Sequence, residues 1–155
     1  MEYLKYKSPS FMEAYKMAFI NWFNFDDRSR RAEYWKFVAV YNLILLIVFI
    51  ICVFLNEYRI LTGFVSFLPF FVVHVVHFIP SLSLSVRRIH DTGHSSKCII
   101  FALLSMLGLF SFSFFVVILQ FVGLIFSLFY TILLFVDSDK ENNGWGESPK
   151  YYTED

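Results

Sequence analysis

Apolar positions along this chain fall in long unbroken blocks rather than in short alternations. Phe37 to Leu55 gives nineteen residues without Asp, Glu, Lys or Arg, Ile60 to Val86 gives twenty-seven, and Cys98 to Val136 gives thirty-nine. A helix needs about 20 such residues to cross about 30 Å of hydrocarbon. As one helix the last run would be about 58 Å long at 1.5 Å per residue, nearly twice that thickness. It is expected to be a helical hairpin that turns near Gly108, Ser111 and Ser113. The pattern therefore predicts an all-α fold, a polytopic membrane helical bundle forming a single domain over residues 1–155. Four transmembrane helices are expected at 37–55, 60–86, 98–110 and 114–136, the third short for a full crossing, followed by a cytoplasmic tail at 137–155.

Ahead of the first block the periodicity changes. Ser10 and Glu13 have capping-box spacing, which starts a helix at Phe11. Phe11, Ala14, Tyr15, Ala18, Phe19, Trp22 and Phe23 then recur at helical intervals. The expected element is an interfacial amphipathic helix over 11–24, with packing against the inner end of the bundle as the alternative. Tyr34 and Trp35 fall at the border of the first span, where amphipathic rings are favoured.

Charge orients the bundle. Seven Lys/Arg precede the first span, one lies in the Asn56–Arg59 loop, three in Arg87–Lys97 and two after Asp137. Four spans with the N-terminus inside put twelve positive charges in the cytoplasm and one outside; three spans give ten and three. Four spans obey the positive-inside rule better, with both termini cytoplasmic. Composition agrees: 57% of the residues are hydrophobic and 17% charged, and the 21 phenylalanines exceed what a soluble domain of this size could hide. Thirteen basic against thirteen acidic residues argue against a nucleic-acid partner. Two cysteines, Cys52 and Cys98, are too few for a disulfide framework. The first ten residues lack the apolar stretch of a secretory leader.

Three polar motifs interrupt this chain: Asp26 to Trp35, Arg87 to Ser95, and Asn143 to Pro149. With four spans all three face the cytoplasm. They resemble the family of small bacterial inner-membrane proteins called domain of unknown function 805. Arg28, Arg31, Glu33, Tyr34 and Trp35 match its Arg-x-x-Arg-x-Glu-aromatic-Trp approach to the first span. Arg87, Arg88, His90, Asp91 and Gly93 match its Arg-Arg-Leu-His-Asp-x-Gly, and Asn143, Trp145, Gly146 and Pro149 its closing Asn-x-aromatic-Gly-x-x-Pro. Asp27 departs from a usual Gly, and His94-Ser95-Ser96-Lys97 from a usual Arg-Ser-Gly-Trp. The resemblance implies a bacterial plasma-membrane location and a helical bundle, and no established activity.

The candidate site is a cytoplasmic cluster of Arg28, Arg31, Glu33, Trp35, Arg87, Arg88, His90, Asp91, Asn143 and Gly146. Guanidinium forks suit phosphate, so the cluster could recognise anionic phospholipid headgroups or a membrane-protein partner. Alternatively Glu33 and Asp91 pair with the arginines and lock the bundle. A second candidate is the intramembrane stripe Ser66, His74, His77, Ser81 and Ser85, which continues to Arg88 on one helical face and would look into the bundle. It would serve a small transporter or channel, homo-oligomeric if so, or else interhelical hydrogen bonding. Asn42, Ser81 and Tyr130 are expected to meet at one depth.

His90 and His94 have the spacing of two metal ligands on a helix, but Gly93 weakens a helix there and a third ligand is not evident. No nucleophile motif or phosphate loop occurs. No cofactor, metal or catalytic residue is assigned, and a metal-dependent membrane hydrolase ranks third. The leading expectation is a non-enzymatic membrane module. In the tail, Asp137, Asp139 and Glu147 are complementary in sign to the arginines and are expected to draw it back against them. The residues after Pro149 are expected to be loose.

Overall fold

The computed structural model describes residues 4–95, 97, 125 and 128–152. The expected third membrane helix at 98–110, its turn and the first half of the fourth therefore lie outside the described residues. The elements run β1 (Leu4–Lys5), α1 (Phe11–Ile20), α2 (Arg31–Glu57), a 3-10 turn (Gly63–Phe67), α3 (Leu68–His90) and β2 (Tyr151–Tyr152). Residues 128–135 are also helical. The chain divides into two compact units. One comprises Met1–Lys7, Phe25–Arg31 and Ser85–Asp155; the other comprises Ser8–Asn24 and Ala32–Leu84.

The second unit carries α1, nearly all of α2 and most of α3. The α1 capping box forms as its sequence predicts: the Ser10 hydroxyl accepts from the Glu13 amide, and the Glu13 carboxylate accepts from the Ser10 amide at 2.6 Å. The helix ends at Ile20 rather than near Asn24. Asn21 closes it by donating both its backbone N–H and its side-chain amide to the Met17 carbonyl. Ala14 and Ala18, one turn apart, are small enough to let the α1 backbone approach its neighbours. Ala18, Phe37 and Leu84 form the buried core, with Tyr15, Phe19, Tyr34, Val38 and Tyr41 packed around them.

Helix α2 begins at Arg31, ahead of the apolar block, because Arg31, Ala32, Glu33 and Lys36 are good helix formers. After Glu57 the chain reverses: Arg59 takes a left-handed φ of 53°, and the amides of Ile60 and Leu61 both donate to the Leu55 carbonyl. That reversal is why helical structure resumes at Gly63 and not at Ile60. Helix α3 then runs past the block's end to His90, where the Thr92 hydroxyl bonds the Ile89 carbonyl and Gly93 adopts a φ of 72°. Pro80 lies buried inside α3 and deprives the Val76 carbonyl of its helical donor. Arg31–Glu57 and Gly63–His90 are the two helices long and apolar enough to cross a membrane among the described residues.

The first unit holds the chain's ends. β1 and β2 pair antiparallel, Leu4 opposite Tyr152 and Lys5 opposite Tyr151. This pair corrects the expectation of a loose end after Pro149. Tyr151 is buried, the Tyr6 ring lies 4.5 Å from that of Tyr152, and the Tyr6 amide donates to the Lys150 carbonyl.

Candidate functional site

The motif residues of the first unit converge on one carboxylate. Asp91, one residue past α3, is fully buried. Its Oδ1 accepts from Arg28, 3.2 Å from Nη2, and its Oδ2 accepts from Arg88 Nη1 at 2.5 Å. The Ser138 hydroxyl donates to the same Oδ2 at 2.5 Å. Burial pushes the Asp91 carboxyl up from the usual carboxylate range, and Ser138, Arg88 and Arg28 pull against that rise.

The remaining guanidinium donors go to backbone carbonyls. Arg28 donates from Nη1 to Glu141 at 2.9 Å and to Gly146 at 3.0 Å, and from Nη2 to Asp139 at 2.8 Å and Asp91 at 3.4 Å. Arg88 donates from Nε to Leu134 at 3.4 Å and from Nη2 to Val136. Arg31 reaches the Phe135 carbonyl at 3.2 Å. Every nitrogen of both buried guanidinium groups thus has an acceptor within the protein. The tail does return to the arginines, but through its main-chain oxygens. Of the carboxylates expected to draw it there, that of Asp137 bonds Lys150 and Tyr151. The Asp139 side chain lies over Gly93, its Oδ2 only 2.7 Å from where a Cβ would stand.

The third motif closes over the end of α3. Asn143 donates from Nδ2 to the His90 carbonyl at 3.0 Å, and its Oδ1 accepts from the Trp145 amide. That turn lays the Trp145 ring flat on His90, with centroids 4.4 Å apart and planes 12° from parallel. Gly146, at a φ of 114°, turns its carbonyl to Arg28. Arg30 is buried beside the N-terminal strand and donates to the Tyr6 carbonyl at 3.2 Å and the Lys7 carbonyl at 2.5 Å.

The structure thus joins Arg28, Arg31, Arg88, His90, Asp91, Asn143 and Gly146 in one bonded and stacked cluster. Arg87 is buried beside them, and its backbone carbonyl accepts from the Ser29 amide. Glu33 and Trp35 belong to the other unit. His94 turns away at Gly93 to bond the Thr92 carbonyl through Nδ1 at 2.7 Å. No group of three His, Cys, Asp or Glu among the described residues is placed to hold a metal ion.

Of the intramembrane stripe, His74, His77, Ser81 and Ser85 lie in α3 and Ser66 lies ahead of it. Ser66 lies in the 3-10 turn, where its hydroxyl donates to the Gly63 carbonyl at 2.7 Å. His74 is exposed and bonds the Phe70 carbonyl, one turn back. His77 is buried, bonded through Nδ1 to the Val73 carbonyl and through Nε2 to the Tyr15 hydroxyl, each at 2.7 Å. The Tyr41 ring stacks on His77 at 4.6 Å and Phe19 meets it edge-on at 5.2 Å. The Ser81 hydroxyl has no hydrogen-bond partner among the described residues, and Asn42 donates to the Val38 carbonyl of its own helix, so no hydrogen bond joins the two. Ser85 belongs to the other unit.

Sequence reasoning missed Ser138, Tyr15 and Ser83. Ser83 is fully buried, and its hydroxyl donates to the carbonyls of Asn21 at 3.0 Å and Asn24 at 2.5 Å. The inward periodicity of α1 contained a signal for Tyr15; Ser138 carried none.

No curated protein matches the chain, and no solved structure matches it. A family model described as a protein of unknown function (DUF805) matches residues 22–147, a span that takes in the first two motifs and the third as far as Glu147, and the chain belongs to that family.

Proposed function

We propose that this protein is a non-enzymatic module of the bacterial plasma membrane whose Arg28–Asp91–Arg88 cluster is an internal lock and not a ligand site. The observation that carries the reading is that every nitrogen of both guanidinium groups already has an acceptor, in Asp91 or in a carbonyl of residues 91–146. A phosphate could bind there only by displacing bonds already made in a buried place.

The same bonds support the four-span arrangement. Arg28 precedes α2, Asp91 follows α3, and Glu141 and Gly146 follow the last apolar run, yet all meet in one network. Leu4–Lys5 and Tyr151–Tyr152 pair as well. Segments sharing hydrogen bonds lie on one side of a bilayer. On this reading α2 and α3 cross and return, and the run Cys98–Val136 returns to the face it left. Twelve of the thirteen basic residues then lie on that face, which the positive-inside rule makes cytoplasmic. The local bonds of His74 and His77 favour the module over a transporter with a polar path along α3.

The test is Arg88→Ala, followed by thermal unfolding in detergent and native mass spectrometry of bound lipid. The lock reading expects a melting temperature lower by several degrees, faster proteolysis of the tail and unchanged lipid content. Loss of a retained anionic lipid with stability intact would establish headgroup recognition instead. A reporter fused after Asp155 that proved periplasmic would overturn the topology.

A further inference from the structure

We infer that α1 is a lipid-contact element, seated along the headgroup–acyl boundary with its outer face against phospholipid; this rests on the membrane reading above and adds the depth and surface at which the chain meets the leaflet. Both ends of α1 are pinned where charge gives way to apolar sequence. At its start Lys36, the last charged residue before the apolar block of α2, donates from Nζ to the Ser8 hydroxyl at 2.9 Å and the Pro9 carbonyl at 2.5 Å. At its end the Ser83 hydroxyl holds the carbonyls of Asn21 and Asn24. Ser83 is four residues before Arg87, about 6 Å by helical rise. Phe37, the first residue of the block, and Leu84 share the core with Ala18, so the two borders lie level. A helix tied at both ends to that level runs along the membrane surface and not through it.

The inner face of α1 reaches deeper. Tyr15 and Phe19 extend to His77, ten residues before Arg87, about 15 Å along α3. The Val73 carbonyl can only accept, so the Nδ1–H of His77 donates to it and Nε2 is left to pair with the Tyr15 hydroxyl. This bond gives a histidine in an apolar helix a full set of partners and fastens α1 beside it.

The outer face is exposed among the described residues. Met12, Met17 and Ile20 are 56%, 41% and 77% exposed, and Trp22 and Phe23, in the turn that follows, are 43% and 65% exposed. The two charges of α1 fit a lipid boundary: Glu13 is spent in the capping box, and exposed Lys16 has a stem long enough to reach the headgroups. An apolar face at this depth meets acyl chains, because a soluble partner would have to enter the leaflet to reach it.

The test uses the unmodified protein in proteoliposomes containing a phospholipid with a photoreactive diazirine on its acyl chain. After irradiation and trypsin digestion, adducts are mapped by mass spectrometry. Adducts on the peptides ending at Lys16 and Arg28, in yield comparable to those of α2 and α3 and located at Met12, Met17, Ile20, Trp22 or Phe23, support the inference. Adducts on α2 and α3 with these two peptides clean overturn it and leave the membrane module standing. Adducts at Ala14 and Ala18 overturn it too, since the packed face would then be the lipid face. No adducts anywhere would overturn the membrane reading itself.

Discussion

Each of the two units has its own kind of interior. The unit built on α1, α2 and α3 is joined by rings and small side chains around Ala18, Phe37 and Leu84, with a few neutral hydrogen bonds such as Tyr15 to His77. The unit that gathers the chain's ends has a buried acid between two buried arginines, with main-chain oxygens completing the set. Apolar packing loses stability in proportion to the atoms removed. A buried charge network fails abruptly, because deleting one member leaves its partners charged and dry.

That contrast is broken most severely at Asp91. Asp91→Ala strands two guanidinium groups and is expected to cost about 3–5 kcal/mol, the penalty for breaking a buried ion pair. Thermal unfolding in detergent measures the loss, and the tail should become protease-sensitive. In the other unit, Tyr15→Phe removes one neutral hydrogen bond and is expected to cost about 1 kcal/mol. Its tail should resist protease as the parent does; release of the tail by this substitution would show that the two kinds of construction are not separate.

The smallest effect concerns the Asp137–Lys150 pair at the edge of the tail. Burial raises the Asp137 carboxyl, but Lys150, the Ser138 amide and the Tyr151 hydroxyl outweigh it and hold the group below the usual carboxylate range. Burial lowers the Lys150 ammonium, and Asp137 and Tyr151 more than reverse this, holding it above the usual lysine range. Asp137 therefore contributes stability above the ordinary carboxylate pKa, lost as pH falls through its depressed value. Lys150 contributes below the ordinary lysine pKa, lost as pH rises through its elevated value. The expected profile of tail protection is flat between these limits and declines at both extremes. With side chains 45% and 21% exposed the pair is largely solvent-screened, so the change should stay below about 1 kcal/mol.

The apolar blocks were enough to place α2 and α3, since little but a long helix suits an uncharged run of that length. Their ends depended on Arg59 and Gly93, whose backbone conformations no periodicity encodes. The convergence of Arg28, Arg88, His90, Asp91 and Asn143 was legible because the polar motifs stand out against an apolar chain. The pairing of Asp91 with the arginines was legible too; the remaining partners were not. Carbonyl oxygens have no sequence signature, Ser138 lies 47 residues from the carboxylate it bonds, and Tyr15 lies 62 from His77. The β1–β2 pair joins two dipeptides from opposite ends of the chain, too short to leave a pattern.

Arg28 grips the tail by oxygens that every amino acid carries. The grip reads the path of the chain and is blind to most of its side chains. Exchanges at exposed Lys140, Glu141 or Asn142 should pass almost unnoticed. Inserting or deleting a single residue between Asp139 and Gly146 would carry those oxygens out of step with the guanidinium fork. At those three positions, evolution is free to rewrite the letters but not their number.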